Sequence, residues 1–455
     1  MIFASCVRNP PTAHSASAKP MSSAAFNLRT SLHTRSRTHP MAIDFSLSPE
    51  QQALQAGARQ FAAGVLSQVK ATIALHPAHE DRFFATRPFY AQMAQAGFVH
   101  ALFPKAYGGS GMSIVDFALA AEELCVADIN VPSTLLSTGL GMEPIIGYGS
   151  EEQKRRWIGE ILEAPGDRLA ALAFTEVTGG SNYDCPDPSA GVQTFARLEG
   201  DEWVINGQKH YTTNGCGWDG KGAHLISVVC RTDPGKPPAE SLAVIVVPGS
   251  TPGVEVVGYL DTVGHRAVVS PRIHFNNVRV PAGNILGKPG DGIAICQYAF
   301  TWTAALIGAA CTGVMRAAFD IAFDFAKNDK RSGNVPVIEH QNVGYMLADI
   351  KMRIEAARYL TWKACHQLDV TDRRSDELAV MTKVYSSELC VQAVYDAMRL
   401  VGVDSYTVLS PLSGLMQDAL CFPLYDGGNM GVRRRQLHRK FQAPGYDPMA
   451  SAEGR

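Results

Sequence analysis

The sequence predicts a multidomain α+β protein: an N-terminal helical domain over residues 44–168, a middle β-sheet or barrel domain over 169–287, a C-terminal four-helix bundle over 288–443, and a tail at 444–455. Three observations carry this reading. Helix-start signals followed by alanine-rich stretches fill the first third, and short β-branched runs broken by turn residues fill the second. After Gly290 the chain returns to long alanine-rich segments with short connections, the texture of a helical bundle. Helices, then strands, then helices is not the strand–helix alternation of a doubly wound sheet.

Residues 1–43 stand apart. They carry Arg8, Lys19, Arg29, Arg35 and Arg37, many Ser and Thr, and no Asp or Glu. That balance fits an organellar presequence, hence a mitochondrial protein, or an unstructured extension upstream of a second start at Met41, hence a cytoplasmic one. Pro10, Pro11 and Pro20 interrupt any amphipathic helix there.

Order begins at Ser48-Pro49-Glu50-Gln51, with Ser at the cap, Pro in the first turn and Gln three residues on. Gly149-Ser150-Glu151-Glu152-Gln153 repeats the signal ahead of Trp157, Ile158 and Leu162. In the middle third, Trp203-Val204-Ile205 and His210-Tyr211-Thr212 flank Asn206-Gly207, which predicts a hairpin. Leu225–Val229, Leu242–Val247 and Ile273–Phe275 continue the strands. Beyond Gly290 the helical stretches run roughly over 291–328, 337–368, 376–402 and 429–441.

Composition narrows the function. With 46% apolar and 18% charged residues, the 455-residue chain can bury a large core and reads as a soluble globular protein. A net charge of -2 gives no field that a nucleic acid would favour. No window holds the roughly 18 uninterrupted apolar residues of a membrane span. Ten cysteines without a CxxC pair or Cys/His ligand spacing predict reduced, mostly buried thiols and no metal. No GxGxxG follows a strand, which disfavours a Rossmann-type dinucleotide site.

The stretch Ala173-Phe174-Thr175-Glu176-Val177-Thr178-Gly179-Gly180-Ser181-Asn182 resembles the Thr-Glu-Pro-x-Ala-Gly-Ser-Asp signature of acyl-CoA dehydrogenases. Phe103–Gly111, Gly149–Lys154, Asn206–Gly215, Val278–Pro281 and Glu339-His340-Gln341 follow in family order, so the resemblance spans about 44 to 441. Tyr425-Asp426-Gly427-Gly428, with Asp where the family usually has Glu, resembles the nitroalkane oxidase branch, as do Ala85–Tyr90, Gly217–Ala223 and Asp396–Met398.

The resemblance implies the multidomain acyl-CoA dehydrogenase fold, an FAD cofactor and Asp426 as the base that takes a proton from the carbon being oxidised, with flavin N5 accepting a carbanion or hydride. Read alone, an Asp beside two glycines is more often a turn residue. The resemblance further implies Arg433 as support for the base, two turns or ~10 Å along if helix already runs through the stretch. It implies Thr303 as a hydroxyl that meets the base. Phe174 and Thr175 would contact the flavin ring, Gly180 and Ser181 its phosphates, and Tyr211 and Thr213 the ring face and the region of N5. Arg331 and Gln341 would reach the FAD of a neighbouring subunit, implying at least a homodimer and commonly a homotetramer. A small acidic substrate such as a nitroalkane suits the shorter carboxylate. Arg266, retained as in acyl-CoA dehydrogenases, could serve a thioester instead, with electrons passed to an electron-transfer flavoprotein.

Overall fold

The computed structural model describes residues 45–454 except 188, 332 and 374. The extension expected over 1–43 and its targeting role lie outside these residues.

Ser48 and Ser150 close the two expected capping boxes. Each hydroxyl accepts from the backbone N–H three residues on, and Gln51 and Gln153 bond back to the cap. The helix Pro49–Gly64 lies on the helix Ile114–Ala127, and Asn130–Tyr148 and Glu151–Glu163 complete the N-terminal layer. Gly141 brings Asn130–Tyr148 against the sheet, since a Cβ there would stand 2.4 Å from the Ala171 nitrogen. Ser227 seals the contact by donating to the Gly141 carbonyl at 2.8 Å.

The middle domain is one eight-stranded sheet: β1 (Ala170–Ala173), β2 (Phe195–Glu199), β3 (Glu202–Lys209), β4 (Leu225–Arg231), β5 (Leu242–Pro248), β6 (Val254–Tyr259), β7 (Pro271–Pro281) and β8 (Ile285–Leu286). The order is β6-β7-β3-β2-β4-β5-β8, with β1 parallel to β4. β4 is buried along its whole length and β5 up to its last residue, which is why both read as unbroken apolar runs. The expected hairpin at Asn206-Gly207 is corrected. β3 runs straight through that pair, and its register against β7 shifts there as a bulge. Gly207, at φ 150, leaves no room for a Cβ, which would fall 2.4 Å from the Thr194 hydroxyl. The turn that joins β2 to β3 is Gly200-Asp201 instead.

The C-terminal domain is built on the 37-residue helix Gly292–Asn328, flanked by Gln341–Val370 and Glu377–Val401. The core helix is long and apolar enough to cross a membrane, yet 67% of its most apolar window is buried in the fold. A helix apolar all round is what a position between other helices demands. Helix Ile114–Ala127 of the N-terminal domain covers a further side. A buried charge cluster pins that contact. Glu122 and Glu123, each 2% exposed, take Arg59 at 3.0 Å, Arg316 at 2.8 Å and Arg358 at 2.9 Å from three other helices. A helix at Pro411–Cys421 adds to the expected set, and the expected 429–441 helix begins as a π-helical turn, Gly428–Arg433, before Arg434–Phe441. The nine described cysteines are unpaired, and all but Cys185 and Cys421 are buried.

Candidate active site

A cavity of about 800 Å³ opens where the sheet, the core helix and the segment 420–431 converge. Its size suits a small-molecule ligand or cofactor. A second hollow of about 510 Å³, beside His100, Glu163 and Asp167, gathers no comparable set of polar and aromatic groups.

Asp426 lies on the wall of the larger cavity, its side chain 3% exposed. Its backbone occupies the left-handed region at φ 51, followed by Gly427 at φ 86 and Gly428 at φ 64. A non-glycine residue there costs roughly 1–3 kcal/mol and persists only where its surroundings hold it. At Gly427 a Cβ would crowd Val432 at 3.1 Å and Arg433 at 3.3 Å, and the left-handed backbone would strain any other residue.

That left-handed turn corrects the helical spacing expected between Asp426 and Arg433. The chain does not pass from one to the other as helix; it doubles back, and the π-helical turn delivers Arg433 onto Asp426. The Arg433 guanidinium bonds the Asp426 carboxylate through Nη2 and its carbonyl through Nε at 2.8 Å. It also donates to the Phe300 carbonyl at 3.1 Å and is fully buried. Thr303, on the core helix, donates to the other carboxylate oxygen at 2.7 Å while keeping a longer contact to the Phe300 carbonyl at 3.3 Å. Three residues expected as one constellation are thus in direct contact. Charge-assisted bonds of this kind are roughly twice as strong as neutral ones.

Phe174, Thr175, Gly180, Ser181, Tyr211 and Thr213 line the same cavity. The Phe174 ring packs edge-on to Phe300, which ties this wall to the base. Gly180 lies so close that a Cβ would meet the Thr175 hydroxyl at 3.0 Å and Phe174 at 3.1 Å. Tyr211, at φ 53, keeps its ring 57% exposed. The hydroxyls of Thr175, Ser181 and Thr213 make no hydrogen bond to another described residue. An open aromatic face, free hydroxyls and a glycine cradle fit a flavin with its phosphate-bearing tail.

Other residues hold these groups in place, and the sequence reading did not single them out. Lys209, fully buried, bonds the Glu176 carboxylate and the Phe174 carbonyl, both at 2.9 Å. Glu176 also accepts the backbone N–H groups of Gln193 at 2.6 Å and Thr194 at 2.9 Å. Burial pushes the Glu176 carboxyl up, but Lys209 and these two donors outweigh it and hold the group below its usual range. On the far wall, His265 at φ 49 stacks edge-on to Phe422 and Tyr425. Its backbone N–H donates to Asp418 at 2.6 Å. Burial pushes Asp418 up to about 7 against the pull of that N–H, and pushes His265 down to about 4. The buried Lys383 donates to the Phe422 carbonyl at 2.7 Å and to the Asn429 amide oxygen at 2.9 Å. Each pair is far apart in sequence, so the sequence gives no sign of which residues meet, although Glu176 and Lys209 fall inside quoted motifs.

Arg266, Arg331 and Gln341 are not among the residues that line the cavity. Arg266 stands 3.9 Å from Asp261 and is 44% exposed. Arg331 pairs with Asp329 at 2.9 Å and with Asp404, over the Phe325 ring. Gln341 bonds Tyr345 one turn along its helix.

Sequence profiles of the N-terminal, middle and C-terminal domains of acyl-CoA dehydrogenases match residues 48–164, 171–278 and 290–441. A nitroalkane oxidase of Podospora anserina is 39% identical over 431 residues, covering 91% of this chain and 99% of that one. A nitroalkane oxidase of Fusarium oxysporum is 36% identical over 430 residues, covering 90% and 98%. A solved structure of the flavoprotein nitroalkane oxidase, analysed for the roles of one Arg and one Asp in its reaction, superposes with a TM-score of 0.87 at 36% identity, covering 91% of this chain and 100% of that one. Those two residues are seven positions apart in that protein, the spacing of Asp426 and Arg433 here.

Proposed function

The chain belongs to the acyl-CoA dehydrogenase family of flavin enzymes, and from that premise we propose that it oxidises nitroalkanes, with Asp426 as the base. The reaction is nitroalkane + O2 + H2O to aldehyde or ketone + nitrite + H2O2. The observation that carries the reading is the carboxylate at position 426, one carbon shorter than the family's Glu and clamped by Arg433 and Thr303 on a cavity wall rich in Leu136, Leu140, Ile307 and Leu424.

Each part of that wall has a task. Asp426 takes the α-proton, and Arg433 with Thr303 fixes which carboxylate oxygen faces the carbon. The apolar side chains receive the alkyl chain and exclude water from the reacting carbon. Phe174, Thr175, Gly180, Ser181, Tyr211 and Thr213 would hold FAD, which when bound supplies the two-electron oxidation and is returned to its oxidised form by oxygen. A nitro group already acidifies its α-carbon, so a short base on a rigid clamp suffices.

The second reading is an acyl-CoA dehydrogenase that forms an α,β-enoyl thioester and passes electrons to a carrier flavoprotein. Its sequence argument was Arg266, which lies outside the cavity lining, so we place it second. Arg331 and Gln341 would meet the FAD of a neighbouring subunit in a homotetramer. In support, the segment 403–409 beside Arg331 presents Val403, Tyr406, Val408 and Leu409 at 81–94% exposure, an apolar surface that assembly would cover.

The test is anaerobic mixing of the yellow protein with nitroethane, and separately with a medium-chain acyl-CoA, followed by oxygen and a nitrite assay. Flavin bleaching and nitrite with nitroethane alone are expected. Bleaching by the acyl-CoA alone would transfer the assignment to the second reading.

A further inference from the structure

The segment that carries Asp426 is a closed loop. The Asn429 N–H reaches back to the Pro423 carbonyl at 2.9 Å, and the Gly428 N–H to the Tyr425 carbonyl at 3.1 Å. Inside it, three successive left-handed residues run from Asp426 to Gly428. A backbone in that region persists only where its surroundings over-determine it. Arg433 restrains the loop from within, through the Asp426 carbonyl and carboxylate. Nothing in that contact fixes the two ends of the loop against the rest of the fold.

Lys383 does so. It stands on the helix Glu377–Val401, is fully buried, and its ammonium spans the loop's two ends: the Phe422 carbonyl at 2.7 Å and the Asn429 amide oxygen at 2.9 Å. Asn429 is itself locked, donating to Ser387 at 2.9 Å and Glu388 at 3.0 Å one turn further along the same helix. We propose that Lys383, acting through Asn429 and the Phe422 carbonyl, is the positioning residue that sets where the Asp426 carboxylate meets the substrate carbon. The proposal rests on Asp426 being the base.

A charged lysine without a carboxylate partner is an unusual choice for a purely architectural strut. Burial pushes the Lys383 ammonium down to about 8; Asp426 opposes that shift and Arg433 adds to it. Lys383 and Asp426 therefore feel each other's charge. Other titratable groups facing the loop are Arg433 from its own π-helical turn, Tyr425 beside the base, His265 against Tyr425, Glu388 on Asn429 with Arg434 paired to it, and Cys311 and Cys421 against Lys383. His265, held near 4, is neutral over the working range.

The test uses the flavin-loaded enzyme and nitroethane with three variants. Asp426→Asn comes first and is expected to abolish turnover; if it turns over like wild type, both the base assignment and this proposal fall. With that loss in hand, Lys383→Met is expected to lower kcat by about tenfold to a hundredfold, the range for a slightly misplaced reacting group, while KM changes by less than about threefold. As pH rises through about 8, where Lys383 gives up its proton, wild-type kcat is expected to fall toward that of the variant, which lacks this limb, a difference that a strut alone would not produce. Wild-type kcat in Lys383→Met, with the pH profile of wild type, would overturn the clamp and leave the base assignment standing. Should Lys383→Met fail to hold flavin, Asn429→Leu carries the same measurement, with a smaller loss of kcat expected and unchanged kcat overturning the proposal.

Discussion

At the scale of single residues, the site is a set of donors converging on one carboxylate. Thr303 contributes one hydroxyl bond to a charged acceptor, a bond worth roughly 1.5–3 kcal/mol. Thr303→Ala is therefore expected to slow anaerobic flavin reduction by nitroethane about tenfold or more while the flavin spectrum stays intact; stopped-flow absorbance at the flavin band reads both. Arg433→Lys keeps the charge but loses the fork that bonds carbonyl and carboxylate together at a fully buried site. A loss of roughly a hundredfold in kcat/KM is expected, with exogenous guanidine restoring part of it only if the fork is what matters. Asp426, Arg433 and Thr303 were legible because the family resemblance assigns each of them a role. The contact of Lys383 with Asn429 was not, since it joins positions 46 residues apart and a buried lysine has no signature in sequence.

At the scale of elements, the sequence showed where strands and helices lie better than how they are bent. Asn206-Gly207 carries the composition of a turn, yet pairing with β7 on one side overrides the local preference and leaves a bulge. The π-helical turn at Gly428–Arg433 was hidden for a similar reason: it goes with the burial of Asn429, Val432 and Arg433, which only the tertiary fold supplies. Ser410-Pro411 offers a start signal for the helix Pro411–Cys421, but the segment is short and holds Gly414, so no clear period develops. That helix has a task at the cavity, because its Asp418 fixes the His265 loop. Asp418 is raised to about 7 by burial, above an unfolded value near 3.8, so the folded protein holds the extra proton between those two values. The contribution is fully present below the unfolded value and is lost as pH rises through 7. Asp418→Asn, neutral at every pH, is expected to gain in melting temperature relative to wild type as pH goes from 5 to 8; a difference that does not change with pH would refute the assignment.

At the scale of the whole molecule, the three-part organisation was readable because each part has its own texture, whereas the way the parts meet was not. Nothing in the sequence announces that Glu122 and Glu123 are to be buried among Arg59, Arg316 and Arg358. The proposed assembly makes its own prediction at this scale. Leu409→Asp, at a position 93% exposed in the single chain, is expected to dissociate the oligomer in light scattering, and Arg331→Ala to weaken FAD retention on dilution without altering kcat at saturating FAD. A monomeric wild type would end that argument.

The core helix Gly292–Asn328 carries a further consequence. One of its walls is Ile114–Ala127, which leaves the ribosome about 170 residues before it, so the nascent chain must hold an apolar helix face uncovered while the whole sheet is being synthesised. Glu122 waits longer still, 194 residues for Arg316 and 236 for Arg358. Synthesis rate through the β segment thus sets how long a chaperone has to shield that face, and a fragment ending before residue 292 would keep it exposed for good.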